Sequence, residues 1–434
     1  MQVRGLLAGL IVLAVLGGLV WWSNRTEAEK AAAPAGSTSK LFAVKDDEVR
    51  RVEIARRGSE QRTVVERSKD GWQITAPEPL RADNDAVAGL VSAFTGLTED
   101  RVIEEKPANL AEFGLSDPQA RVTVNGKHTL LIGDDTPTGG AVYAKLEGSP
   151  KVFTFPSQNK SNIDKDAKDL RDKRLVTADT GKLSRVELTS RGATVELSRN
   201  AQKEWQILRP RQLRADNLAV DELVRKLQEA RMDLSEDPEE AAKKFAAGAR
   251  TSAAVLADAA GSQTLELRKS GDAYYARSSA VPGVYKVDST LGEALSKGLD
   301  DLRNKKLFDF GFSDPSKIEI RVGTQQHSFV KGGEKWWSNG KQMDATGVQS
   351  LIDKLRDLSS AAFAEGSVAP ADLEIAVTAG DGKKTEKVLI GRNGLAQREG
   401  EPAVYKLDAN AVEELRKTTV DVKAAQPSAA APPK

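Results

Sequence analysis

Leu170-Arg171-Asp172-Lys173-Arg174-Leu175 returns 132 residues later as Leu302-Arg303-Asn304-Lys305-Lys306-Leu307. Other phrases move with it. Val152-Phe153 returns as Val284-Tyr285, and Tyr143-Ala144-Lys145 as Tyr275-Ala276-Arg277, at the same shift. Gly71-Trp72-Gln73-Ile74 returns as Glu204-Trp205-Gln206-Ile207, and a looser third copy carries Trp336-Trp337. A period of about 130 residues is too long for a solenoid whose units cannot stand alone, so it predicts tandem duplication of a domain. Residues that recur in every copy are explained first by the fold.

Within the first copy, Val49, Val52 and Ile54 alternate toward a turn at Arg57-Gly58-Ser59, and Thr63-Val64-Val65-Glu66 follows. Trp72-Gln73-Ile74-Thr75 comes after an Asp70-Gly71 turn, a strong hairpin signal. Pro77 and Pro79 end that strand, because proline donates no ladder hydrogen bond. Val87, Leu90, Val91, Phe94 and Leu97 then mark one face of a helix. The second copy repeats them as Val220, Leu223, Val224 and Leu227, the third as Val348, Leu351, Ile352, Leu355 and Leu358. Four further strands (Arg121 to Val124, Thr129 to Ile132, Val142 to Leu146, Val152 to Phe155) and a short polar helix around Ile163 to Leu170 close the copy. In the second copy, Glu236 to Ala249 reads as an added helical stretch.

These patterns predict an α+β protein of three tandem copies of an antiparallel-sheet-plus-helices module, preceded by one N-terminal transmembrane helix. The expected divisions are a membrane anchor at 1–22 and a flexible tether at 23–40. Modules follow at 41–176, 177–308 and 309–422, with a disordered Ala/Pro tail at 423–434. The Phe113-Gly114-Leu115-Ser116-Asp117-Pro118 and Phe310-Gly311-Phe312-Ser313-Asp314-Pro315 phrases fall at different places in their copies. They read as convergent turn chemistry.

The anchor rests on Gly5 to Trp22, 18 residues without a charge. As a helix it would extend about 27 Å, close to the hydrocarbon thickness of a bilayer. Trp21 and Trp22 fall where an interfacial aromatic belt lies. A cleaved signal peptide is the competing reading, disfavoured by the length of the apolar run. Arg4 and the short leading tail favour export of the bulk. The expected location is therefore a bacterial inner membrane, single-pass, with the rest of the chain periplasmic.

Lys+Arg of 64 against Asp+Glu of 63 leaves no basic field for nucleic acid. Without cysteine, thiolate metal sites and disulfides are excluded, and two histidines leave little room for His-based acid–base chemistry. No G-x-S-x-G or H-E-x-x-H occurs. The expectation is a protein without catalytic residues, metal or cofactor.

Asp83, Asp216 and Asp344 precede helical faces, where a carboxylate accepts from free backbone N–H groups. They read as helix caps before they read as acids or metal ligands. Asp134-Asp135 offers too few oxygens for calcium, and Gly380 to Thr385 reads as a hairpin turn. His128 reads as a turn-flanking surface residue. Trp72, Trp205 and one tryptophan of the third copy read as core. Adjacent strand residues point to opposite faces, so either Trp336 or Trp337 should be exposed. That residue is the candidate ligand or partner contact.

Taken together, several phrases resemble the domain-of-unknown-function family numbered 4340. They are Gly71-Trp72-Gln73-Ile74, Arg81-Ala82-Asp83-Asn84, Phe113 to Pro118, Leu131-Ile132-Gly133-Asp134, Val142-Tyr143-Ala144 and Leu170 to Leu175. The resemblance implies a bacterial protein with one membrane helix and an exported repeat domain, associated with gliding-motility-type ABC transporters. It carries over no catalytic residue. The functional expectation is a non-enzymatic, membrane-anchored scaffold that contacts the lipid bilayer through residues 5–22 and serves an ABC transport complex. A cell-envelope glycan or peptidoglycan binder is the alternative, and a carboxylate-based hydrolase a third.

Overall fold

The computed structural model describes residues 40–426 except 312, 313, 369 and 381. The expected anchor, nearly all of the tether and the last eight residues of the expected tail lie outside the described residues. Among the described residues no helix is long and apolar enough to cross a membrane.

The described residues form an α+β structure with three antiparallel sheets. The first runs β1 (Arg51–Arg56), β2 (Thr63–Ser68), β3 (Gly71–Ala76) and β4 (Leu80–Arg81), then α1 (Asn84–Thr95). After β5 (Arg101–Glu104) come β6 (Ala120–Val124), β7 (His128–Asp135), β8 (Ala141–Leu146) and β9 (Val152–Pro156), then α2 (Ser157–Ile163) and α3 (Ala167–Leu170). Its order is β4-β3-β2-β1-β6-β7-β8-β9-β5.

The second sheet is built from β10 (Arg185–Ser190), β11 (Ala193–Arg199), β12 (Trp205–Arg209) and β13 (Leu213–Arg214), followed by α4 (Asn217–Glu229) and α5 (Pro238–Ala247). It continues through β14 (Ala249–Asp258), β15 (Gly261–Ser270), β16 (Ala273–Ser278) and β17 (Val281–Val287), then α6 (Ser289–Leu295) and α7 (Leu299–Leu302). The helix expected between Glu236 and Ala249 is α5.

The third sheet has β18 (Lys317–Val322), β19 (Gln325–Gly332), β20 (Lys335–Ser338) and β21 (Lys341–Gln342), then α8 (Ala345–Asp357) and β22 (Ala362–Ala364). β23 (Ala371–Ala379), β24 (Lys384–Gly391), β25 (Leu395–Arg398), β26 (Val404–Lys406) and α9 (Ala409–Asp421) complete it. The second and third orders repeat the first, except that the second has no ninth strand.

Every sheet contains two four-stranded meanders joined at a central antiparallel pair, β1 with β6, β10 with β14, and β18 with β23, and the first and third add an edge strand, β5 and β22. Each meander is followed by a helix, so each module contains its own internal repeat. This corrects the reading of the Phe-Gly phrases. Pro118 and Pro315 each stand two residues before the first strand of a meander, β6 and β18. The two prolines occupy equivalent positions in half-sheets three apart along the chain, the second and the fifth.

The alternation in each strand sends one side inward. Val52 and Ile54 in β1, and Val186 and Leu188 in β10, are buried beneath the helices. Val87, Leu90, Val91 and Phe94 of α1 close over the first sheet.

The described residues divide into two compact units, one ending at Lys173 and the other beginning at Arg174. The second and third sheets share one continuous hydrophobic cluster, where the repeat period suggested separate cores. Burying apolar surface across that junction joins the two modules in one unit.

Candidate functional site

The recurring phrases meet each other in space. In the first module, Asp83 N–H donates to the Leu170 carbonyl at 2.8 Å and Asp172 N–H to the Arg81 carbonyl at 2.9 Å. In the second, Asp216 N–H donates to Leu302 and Asn304 N–H to Arg214, at 2.9 and 3.0 Å. Thus Arg-Ala-Asp-Asn forms the sheet margin that the Leu-Arg-Asp or Leu-Arg-Asn segment covers. Its third-module counterpart is Lys423-Ala424-Ala425, with Asp344 N–H donating to Lys423 O and Ala425 N–H to Gln342 O. The expected tail therefore begins too early at 423. Residues through Ala425 belong to the third module, where their backbone groups replace water at a sheet edge.

The remainder of the repeated phrase opens the next module. Leu175 N–H donates to Ala230 O, and Leu307 N–H to Leu358 O, both at 3.0 Å. Leu41 N–H donates to Leu97 O at 2.9 Å in the same way, and Lys40 bridges to Thr98, so Lys40 joins Leu41 in the first module instead of ending the tether.

Asp83, Asp216 and Asp344 each cap a helix: Asp83 accepts from Asp85 and Ala86 N–H, Asp216 from Ala219, and Asp344 from Gly347. Asp288 and Asp408 perform the same task after the second meanders of their sheets. The Asn beside the first two caps has a separate role. Asn84 Oδ1 accepts from Trp72 N–H at 2.8 Å, and Asn217 Oδ1 from Trp205 N–H at 2.7 Å.

Asp134 accepts from Gln119 Nε2 at 2.8 Å, and Asp135 faces Lys160 at 3.4 Å. Gly133 lies where a β-carbon would come 2.1 Å from the Phe113 carbonyl oxygen. This backbone approach links the Phe-Gly-Leu and Leu-Ile-Gly-Asp phrases and requires glycine. Gly380 accepts from Lys383 N–H at 3.1 Å in the hairpin between β23 and β24. His128 is half-buried and sets its ring edge-on to Phe42. Among the described residues no group of three or more His, Asp or Glu is placed to hold a metal ion.

Trp205 and Trp336 are buried, and Trp72 is partly exposed. A cation lies over each ring: Arg67 over Trp72, Arg199 over Trp205 and Lys331 over Trp336. Trp336 is only 6 % exposed, whereas its neighbour Trp337 is 40 % exposed on the opposite face of β20.

A concentration of charge lies in a cleft of about 920 Å³ between the second and third sheets. Arg214 on β13 forms its floor. Its guanidinium donates to the Tyr405 hydroxyl at 3.0 Å and the Lys306 carbonyl at 2.5 Å. It also pairs with Asp309 and, at 2.8 Å, with Glu401. Arg398 pairs with Glu401 at 2.7 Å and Glu386 at 3.4 Å, and donates to the Leu307 carbonyl. Glu386 in turn accepts from Asp309 N–H at 2.7 Å and faces Lys384 at 2.6 Å. Burial alone would weaken protonation of Arg214, but Tyr405, Asp309 and Glu401 hold its pKa above the ordinary guanidinium range. Burial raises the Tyr405 pKa, assisted by Glu401 and opposed by Arg214. Tyr405 is therefore neutral at pH 7, where the two carboxylates provide the hold on Arg214.

Arg303 reinforces the same junction. It is 4 % exposed, stacks 3.3 Å from the Phe363 ring centre and pairs with Asp300 at 3.1 Å. Burial lowers its pKa against the pull of Asp300. These groups hold two modules together, and their carboxylates are committed to cations instead of being free for proton transfer. The network escaped the sequence reading because its members are spread from 214 to 405. The repeated Arg81 and Arg214 were its one local signal, since capping requires Asp but not Arg.

The model of a family described as Domain of unknown function (DUF4340) matches residues 72–208 and again residues 205–376. The two matches begin at Trp72 and Trp205, equivalent residues of β3 and β12. No curated protein and no solved structure matches the chain. With these tandem matches across most of its length, the chain belongs to the DUF4340 family.

Proposed function

We propose that this is a non-enzymatic, membrane-anchored extracytoplasmic scaffold, built by triplication of one module and serving as an accessory of an ABC transport complex. The apolar tract from Gly5 to Trp22 supplies the anchor, crossing the inner membrane once. The observation that carries the non-enzymatic reading is the occupation of the candidate acids. Asp83, Asp216 and Asp344 receive helix N–H groups, and Asp309, Glu386 and Glu401 receive cations. A repeat protein with its acids so committed suits binding better than proton transfer. The ABC-complex reading rests on the family resemblance.

Mild crosslinking in cells, detergent solubilisation and isolation through a C-terminal tag test the proposal. Recovery of a transporter's membrane subunits is expected. Isolation of the chain without any membrane protein would contradict it.

A further inference from the structure

We propose that the outer face of the third sheet binds an anionic saccharide, with Trp337 as the stacking platform and Lys335 as the charge that selects it. The relevant column differs from its counterpart in the second sheet. Cross-strand pairing aligns Ser198, Gln206 and Arg214 there, and Val330, Trp337 and Gln342 here. Where the second sheet directs Arg214 into an ion-pair network, the third presents an indole and an isopropyl group to solvent.

The indole is held in place. A β-carbon on Gly332 would come 3.2 Å from Trp337 Cδ1 and Nε1, so the ring's pyrrole edge rests where glycine leaves space. Trp337 retains 40 % of its surface exposed and Val330 44 %. An indole provides about 150–250 Å² in all, so with Val330 the open apolar patch is on the order of 100–200 Å². A specific protein interface needs about 800 Å² per partner. The patch is too small for that but matches one sugar ring, whose C–H face packs on an aromatic face while its hydroxyls remain outward.

The charge follows from strand geometry. Lys335 lies two residues before Trp337 on the same face, about 7 Å along the strand. Among the described residues its side chain has no hydrogen bond or ion pair, and it is exposed. Lys317 is the cross-strand neighbour of Val330 on that face and is paired with Glu319 at 2.9 Å. One uncompensated ammonium beside an open indole suits a sugar carrying a carboxylate. Gln342, directly opposite Trp337, adds an amide for hydroxyl groups.

The full chain in mild detergent can be tested by native electrophoresis through gels containing polygalacturonate, hyaluronan or uncharged dextran. Retardation by an acidic polymer and not by dextran is expected. Trp337→Ala should weaken it at least tenfold, Trp337→Phe should retain most of it, and Lys335→Glu should weaken it severalfold. Thermal melts matching the wild type would show that the exposed substitutions leave the fold intact. Several results would overturn the proposal: no retardation, equal retardation of Trp337→Ala, a preference for dextran, or binding only to vesicles of anionic phospholipid. None of these bears on recovery of a transporter with the tagged chain, so the two proposals fail separately.

Discussion

Arg214 of the second sheet donates to the Tyr405 hydroxyl of the third at 3.0 Å, although 191 residues separate them in sequence. Around that contact Asp309 and Glu401 balance the guanidinium. Removing the cation leaves the partly buried Asp309 carboxylate without a cation and Glu401 with Arg398 alone. Breaking a fully buried pair costs about 3–5 kcal/mol. Solvent reaches part of Arg214, so Arg214→Met should cost about 1–3 kcal/mol, after discounting for screening. Urea denaturation measures the loss, and hydrogen exchange should locate it at Lys306 to Asp309.

The helix caps provide a milder test. Asp83→Ala removes the acceptor of the Asp85 and Ala86 N–H groups. The expected loss is about 1 kcal/mol, with Asp83→Asn or Asp83→Ser retaining most of the stability. The shift in urea midpoint at constant slope is the measurement.

Asn217 has a different task from its neighbour Asp216. Its Oδ1 accepts from the N–H of Trp205, a residue only 2 % exposed. Asn217→Ala should therefore cost about 1–3 kcal/mol, the range for an orphaned buried donor. Asn217→Asp keeps an acceptor and should recover much of it. Thermal denaturation of the two variants beside the wild type decides.

Asp372 supplies a pH test. Arg416, joined by Arg392 and opposed by burial, holds its carboxyl below the ordinary value of 3.8. Its stabilising contribution is thus complete above the unfolded-state value and is lost as pH falls through the lower folded-state value. The stability difference between wild type and Asp372→Asn should be constant near neutrality and should narrow in strong acid. Urea titrations at a series of pH values would show it.

How far the sequence revealed this architecture depended on the range of each interaction. The amphipathic faces at Val87 to Phe94 and Val220 to Leu227, and the Asp caps before them, are local and were legible. β4 was missed because two residues carry no period, and Pro77 and Pro79 obscure its approach. The internal symmetry of each sheet was missed because half-sheets kept their strand order but few residues. The Phe113 and Phe310 phrases were its trace, and comparison at a 130-residue period misaligned them. At the candidate site, alternation separated Trp336 from Trp337 but could not tell which faced the helices. The Arg214 cleft assembles residues from both modules, and no local spacing encodes it.

We propose above all that the first apolar tract holds the three modules outside the cytoplasm. The chain contains no cysteine, so Lys341→Cys introduces a single thiol at an exposed position. Spheroplasts treated with a membrane-impermeant maleimide should label it before lysis, with the protein retained in carbonate-washed membranes. Labelling only after lysis, or release of the protein by carbonate, would contradict the account.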